Sequence, residues 1–293
     1  MEKILVIGAR GQLGSDLCRG IESDLKGTTL IPMNREELDV TDFAQVRSVL
    51  EEVRAEVVVN TSAFHQVDLC EEEWRSAFEV NAYAARHLAQ VCAEQDATFV
   101  HISTDYVFGG EENRNVPYSE DDKPFPVSVY GASKLAGEYL VRDTCEKHFV
   151  IRGSGLYGVA GSAGKGGNFI ESMLRLGKEG KPLNVVADQI TAPTFTADLA
   201  TKIIELIQTE RYGLYHISNT DSCSWYEFAS AIFERCGLDV DLSPTTSEDY
   251  GAAAKRPSYS VFAHHALHGA GLESPRSWQH ALSDYLKEKG HIG

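Results

Sequence analysis

Tyr130 and Lys134 stand four residues apart in Tyr130-Gly131-Ala132-Ser133-Lys134, a spacing that places both side chains on one face of a helix, one turn apart. A phenol with a reference pKa near 10 is a poor acid-base catalyst at neutral pH, and a neighbouring ammonium favours its phenolate form. Lys134 is therefore expected to lower the pKa of Tyr130. A hydroxyl partner lies in Ile102-Ser103-Thr104-Asp105-Tyr106-Val107-Phe108, directly after a strand-like run, where Thr104 would point into a cleft at the strand's carboxyl end. A Tyr and a Lys at this spacing occur together on many surface helices; the weight comes from what precedes them.

The chain opens with an apolar run, Ile4-Leu5-Val6-Ile7, that enters Gly8-Ala9-Arg10-Gly11-Gln12-Leu13-Gly14. Glycines spaced in this way between a strand and a helix let the backbone approach a pyrophosphate, whose charge is met by the unpaired N–H groups and dipole of the helix N-terminus. Dinucleotide binding follows, with Gly8, Gly11, Gln12, Leu13 and Gly14 at the phosphates. The residues that read the adenosine ribose are expected roughly 20 positions on, at Met33-Asn34-Arg35-Glu36-Glu37. No acid stands at the strand end itself, and the planar fork of Arg35 suits a 2′-phosphate, which favours NADPH. Glu36 and Glu37 oppose a phosphate, so NADH stays open.

These groups need a frame. Apolar runs at Ile4–Ile7, Thr29–Pro32, Val57–Asn60, Thr98–Ser103 and Phe149–Arg152 alternate with helical spacing over Gln12–Lys26, Phe43–Val53, Trp74–Glu94 and Val129–Cys145. This alternation predicts an α/β fold with a doubly wound parallel sheet. Residues 1–153 form the dinucleotide-binding domain, with contributions from later segments. Residues 154–293 form mainly a smaller α/β lobe, containing a strand at Leu183–Val186, a helix at Ala197–Gln208, a strand at Leu214–Ile217 and a helix at Ser224–Cys236. The glycine-rich passage 158–167 is expected to be a mobile loop near a ligand, and the two lobes to face each other across one cleft.

Composition excludes several alternatives. The 293 residues carry 27 Lys and Arg against 43 Asp and Glu, a net charge of −16, without the basic cluster that binding nucleic acid requires. The 43% apolar content is that of a globular protein with a core, and no apolar stretch is long enough for a membrane span. The N-terminus lacks signal-peptide character, so a cytoplasmic location is expected. Six scattered cysteines without a C-x-x-C pair read as free, mostly buried thiols. His264 and His268 have a metal-compatible spacing but lack a clear third ligand, so a solvated helix is expected and no metal is assigned. His101 reads as a satisfied core residue, and Glu71-Glu72-Glu73 as a helix N-terminus.

The chain resembles the extended short-chain dehydrogenase/reductases, which have the Rossmann fold, and within them the dTDP-4-dehydrorhamnose reductase family. The likeness runs over nearly the full length. It is carried by the glycine turn, Leu38-Asp39-Val40-Thr41-Asp42, Val67-Asp68, Val80-Asn81-Ala82, the Ser103–Phe108 and Tyr130–Lys134 segments, Gly167-Asn168-Phe169, Asp188-Gln189, Pro193-Thr194, Ser224-Trp225 and Lys255-Arg256-Pro257. The resemblance implies a Thr104, Tyr130 and Lys134 triad. It places Gly8, Gly11, Gly14, Asp39, Val40, Ala63 and Asn81 at the cofactor, with Tyr130 and Lys134 also reaching it. Thr104, Asp105, Tyr106, Asn168 and Arg256 fall at a nucleotide-sugar, where Arg256 could clamp a diphosphate. The implied reaction takes dTDP-4-dehydro-L-rhamnose to dTDP-L-rhamnose, with Tyr130 as proton donor, Lys134 on the nicotinamide ribose and Thr104 on the reacting oxygen. A homodimer is one expectation for assembly. Two alternatives are a sugar-nucleotide 4-epimerase with bound NAD, and a regulatory subunit like that of methionine adenosyltransferase; the intact triad argues against the second. The chain departs from the family pattern at His65, at Thr191, and at Gly155, where tryptophan is frequent.

Overall fold

The computed structural model describes residues 1–160 and 167–293. Residues 161–166, most of the glycine-rich passage expected beside a ligand, lie outside the described residues. In chain order the elements are β1 (Lys3–Ile7), α1 (Gln12–Asp24), β2 (Thr29–Met33), α2 (Phe43–Val53), β3 (Val57–Asn60), α3 (Val67–Glu72), α4 (Trp74–Phe78), a π-helical turn (Glu79–Ala84) and α5 (Ala85–Glu94). Then come β4 (Thr98–Thr104), a 3₁₀ turn (Asp105–Val107), α6 (Val129–Thr144), β5 (His148–Gly153), β6 (Leu156–Tyr157), α7 (Phe169–Lys178), β7 (Leu183–Val186), β8 (Ile190–Thr191) and β9 (Thr194–Phe195). The chain ends with α8 (Thr196–Leu206), β10 (Gly213–His216), β11 (Cys223–Ser224), α9 (Trp225–Arg235), β12 (Leu242–Thr245), α10 (Ser247–Tyr250), α11 (His265–Gly269) and α12 (Trp278–Glu288).

Six strands pair in parallel in the order β10-β5-β4-β3-β1-β2. Both faces are covered, and successive strand residues alternate between them. Ile4 and Val6 pack with Leu13, Leu17 and Ile21 of α1 and Leu199 and Ile203 of α8. Leu5 and Ile7 pack with Val46 and Leu50 of α2, Leu88 and Cys92 of α5 and Val141 of α6. The doubly wound α/β class expected from the sequence is the one observed.

Two elements expected in the smaller lobe belong to this larger layer. The apolar stripe of α8 lies on α1, where Ile204 comes so near Gly20 that a Cβ there would sit 2.6 Å from its Cδ1. β10 then extends the sheet beside β5. Periodicity marked both elements but carries no information about which sheet they join. The smaller layer is built from α7, α9 and α12, with Ile170, Phe228, Ile232, Leu282 and Leu286 at its centre, and from the parallel pair of β7 with β12.

The helix expected over Trp74–Glu94 is broken by the π turn. Asn81 in that turn is fully buried; its amide accepts from Phe64 N at 2.9 Å and donates to Phe64 O and Ser133 Oγ, each at 3.0 Å. Glu71 and Glu72 close α3 rather than open a helix, and Glu73 alone precedes α4. Glu71 accepts a hydrogen bond from Val129 N at 3.0 Å and so joins α3 to the start of α6.

The helix α6 is fastened from below by charge. Glu138 and Arg152 are both almost solvent-free, and the guanidinium meets the carboxylate through Nε at 2.9 Å and NH2 at 2.6 Å. Ser103 donates to the same carboxylate, and NH1 of Arg152 contacts His216 Nε2 at 3.1 Å. Glu138→Gln keeps the volume but leaves a buried guanidinium without its counter-charge, a loss of about 3–5 kcal/mol. Urea unfolding should show a loss of that size, and one below about 1 kcal/mol would contradict this role. Gly137→Ala sets two effects against each other: about 1 kcal/mol of helix propensity gained, and a Cβ placed 2.2 Å from Asn81 O. Overpacking against backbone costs roughly 1–3 kcal/mol, so a lower urea midpoint is expected; a higher one would show that α6 does not bear on the π turn.

Candidate active site

A cleft of about 810 Å³ opens outside the carboxyl ends of β1, β3 and β4, at the point where β1 and β3 lie side by side and their crossovers leave toward opposite faces. The glycine turn forms one end. Gly8 adopts φ +82° and passes close to Thr61, where a Cβ would meet Oγ1 at 2.6 Å, and a Cβ on Gly14 would meet Gly8 O at 2.2 Å. Only glycine allows this crossing of turn and helix. Gly11 is the N-cap of α1 and offers no side chain, and the first turn holds no acid. The free N–H groups there suit an anion.

Gln12, Leu13, Arg35, Asp39, Val40 and Ala63 also line this part of the cleft. Gln12 already spends its amide oxygen, which accepts from Gly158 N at 2.8 Å. Arg35 is 85% exposed and lies 3.6 Å from Asp39. The Asp39 carboxyl is held below its usual range chiefly by hydrogen bonds from Thr41. Asn81 does not line the cleft; it lies behind the wall and ties the Ala63-Phe64 backbone to α6.

Thr104, Tyr130 and Lys134 all line the cleft. Thr104 ends β4, where its hydroxyl donates to Asp105 Oδ1 at 3.1 Å and accepts from Tyr106 N at 3.2 Å. Tyr130 sits in the first turn of α6, which is capped by Ser128 accepting from Gly131 N at 3.2 Å. Its ring stands edge-on to Tyr106, with centroids 5.5 Å apart. Gly131 lets the helix press onto the 3₁₀ turn, since a Cβ would lie 2.1 Å from Tyr106 O.

Burial drives the Tyr130 phenol upward; the Thr104 hydroxyl pulls it down, and Asp105 adds to the rise. The expected lowering by Lys134 is not what the structure gives. Lys134, 1% exposed, is itself pushed down to about 8 by burial, against the opposing charge of Glu138, and its Nζ lies 3.4 Å from His101 Nε2. Helical spacing put the two side chains on one face but could not say where the ammonium turns.

The remaining wall is polar at its base and aromatic at its side. The fully buried Asp105 accepts from Ser154 at 3.0 Å and Ser260 at 2.7 Å, and Thr191 bridges both serines. Burial raises its carboxyl, and the hydroxyls around it oppose the rise. Tyr106 is pushed up to about 12 by burial first and by Asp105 second. Arg256 grips Asp68 with NH1 at 3.2 Å and NH2 at 2.8 Å, joining the C-terminal half to α3. Asn168 lines the cleft, but its amide is committed: Oδ1 caps α7 at Glu171 N, and Nδ2 donates to Tyr285 Oη at 2.9 Å. Phe169 and Trp225, with rings 4.8 Å apart, complete this end. Gly155 stands at φ +55°, and a Cβ would lie 3.5 Å from the Trp225 ring.

Glu138, Arg152 and the Asp105 serines escaped the sequence reading, because their partners lie 14 to 155 positions away. The six cysteines are free, four buried and two partly so. His264 is not solvated: it is 6% exposed and contacts Ser218 at 3.1 Å and Ser274 at 2.9 Å. Among the described residues no cluster of potential ligands could hold a metal, and no helix is long and apolar enough to cross a membrane.

The sequence profile of the RmlD substrate binding domain matches residues 1–290. The spore coat polysaccharide biosynthesis protein SpsK of Bacillus subtilis is 43% identical, over 99% of this chain and 98% of its own. A dTDP-4-dehydrorhamnose reductase of Mycolicibacterium smegmatis is 36% identical, over 97% and 84%. The crystal structure of a dTDP-4-dehydrorhamnose reductase from Bacillus anthracis in complex with NADP superimposes with a TM-score of 0.91 at 41% identity, covering 98% of this chain and 99% of that one. Sequence and backbone thus agree from one end to the other, and the chain belongs to the RmlD substrate-binding family.

Proposed function

We propose that this chain reduces the 4-keto group of dTDP-4-dehydro-L-rhamnose to give dTDP-L-rhamnose, with NADPH as cofactor. It is an oxidoreductase of the dTDP-4-dehydrorhamnose reductase type. The observation that carries the finer reading is that Thr104, Tyr130 and Lys134 all line the cleft that begins at the glycine turn.

The residues present fit the cofactor. The uncapped start of α1, with glycines where a Cβ would collide, suits a pyrophosphate. At the mouth, Arg35 and Arg10 hold exposed guanidiniums, 85% and 80% accessible, which suit a 2′-phosphate. When bound, NADPH supplies the hydride. Tyr130 donates the proton to the sugar oxygen, and the burial that raises its phenol keeps it in the proton-bearing form an acid needs. Thr104 hydrogen-bonds the same oxygen. Lys134, in its charged form, donates to the ribose. Arg256 meets the diphosphate, sharing its fork between the ligand and Asp68. Asp105 and Tyr106 face the sugar, and Asn168 serves there by holding the start of α7 with Phe169.

Tyr130→Phe removes the proton donor, together with its hydrogen bond to Thr104, and keeps the ring. A fall in kcat/KM on the order of 10²–10⁴ is expected, with an unchanged circular dichroism spectrum, when NADPH oxidation is followed with the 4-keto sugar nucleotide. Wild type should consume one equivalent of NADPH per sugar; no consumption, or undiminished turnover in the variant, would sink the reading. Since kcat/KM reports groups of the free enzyme, its alkaline limb should fall near pH 8, where Lys134 loses its proton, and not where a phenol would titrate. A profile flat to pH 9.5 (a value set about 1.5 units above the Lys134 limb, a ~30-fold change in its charged fraction) would show that the charge is not used.

A further inference from the structure

His101 is neither satisfied nor isolated in the fold. It lies on β4 and is 1% exposed, between Asn60 of β3 and Val150 of β5 in the sheet register. Its Nε2 is 3.4 Å from Lys134 Nζ, while Nδ1 has no hydrogen-bond partner among the described residues. Close approach of α6 makes the contact possible: a Cβ on Gly137 would lie 3.4 Å from the same Nε2.

The donor inventory decides the proton's place. An ammonium has three donors and no acceptor, and a neutral imidazole has one of each. Burial and the adjacent Lys134 charge keep His101 neutral. A proton on Nε2 would aim N–H at N–H; a proton on Nδ1 leaves the Nε2 lone pair facing the ammonium. The sheet position offers Nδ1 no partner among the described residues in either tautomer, so the contact at Nε2 decides between them.

We infer that His101 is a positioning residue for Lys134, accepting a hydrogen bond from the ammonium through Nε2 with its own proton held on Nδ1, and so fixing the ammonium's direction and favouring its charged form. The inference rests on the proposed role of Lys134 at the cofactor. Few groups compete for that ammonium. On α6, Glu138 lies one turn on and Tyr130 one turn back; on β5, Arg152 occupies the Glu138 carboxylate; on β4, His101 is the acceptor in contact.

The first measurement needs no variant. Imidazole ¹⁵N NMR of the folded chain should show His101 protonated on Nδ1; an Nε2–H tautomer or an imidazolium would overturn the inference. The second uses His101→Leu and His101→Gln, the latter keeping an acceptor. The leucine variant should move the alkaline limb of kcat/KM down by on the order of one pH unit and raise KM for NADPH several-fold above about pH 7, roughly one unit below the wild-type limb, with kcat near wild type at lower pH. Glutamine should restore both. An unmoved limb with leucine, or equal shifts in the two variants, would overturn the role. If a variant fails to fold, the tautomer decides. Tyr130→Phe addresses the reaction separately, so either conclusion can fall while the other stands.

Discussion

A carboxylate and a guanidinium buried together, Glu138 and Arg152, hold the helix that carries Tyr130 and Lys134 into the cleft. Removing two charges from water is costly, and the pair is tolerable only because each partner's valences are met: Ser103 and the fork of Arg152 on the carboxylate, His216 on the free guanidinium nitrogen. The pair also measures distance. Lys134 and Glu138 are one helical turn apart, about 6 Å, and they face His101 and Ser103, two strand residues apart and about 6.6 Å. Helix and strand match over that interval, so locking Glu138 sets Lys134 and, one turn earlier, Tyr130.

The same burial sets the chemistry. Desolvation raises the phenol of Tyr130 and lowers the ammonium of Lys134, so both are biased toward their neutral forms. A neutral phenol is a proton donor, which suits reduction. In the proposed role the amine must still be charged to hold a ribose; Glu138 favours that form, and His101 does so on the inference above. Among the described residues the arginines around the rest of the cleft are paired: Arg10 lies near Glu36, Arg35 near Asp39, and Arg256 on Asp68. In a chain with net charge −16, the anionic ligand of the proposed reaction would have to share these arginines with the acids that already orient them.

What could be read from the sequence was local or periodic. The glycine turn, the Tyr-x-x-x-Lys spacing and the run ending at Thr104 are each contained within a few residues, and the alternation of apolar runs with helical stripes marked the sheet strands near their observed bounds. Sequence leaves undecided whatever depends on what an element packs against. β10 joined the larger sheet and α8 its covering layer; a π turn broke the long helix so that Asn81 could grip the backbone at Phe64; and His264, expected in solvent, was enclosed by two serines.

The sequence by itself determined the fold class, the strand-glycine-helix entrance to the cleft and the identity of the wall residues, because backbone freedom and side-chain period are properties of neighbouring residues. Tertiary structure decided their states. The direction of the Lys134 ammonium, the neutrality of Tyr130 and the pairing of Arg256 depend on burial and on partners as many as 188 positions away, which desolvate or neutralise a group only once the chain has closed around it.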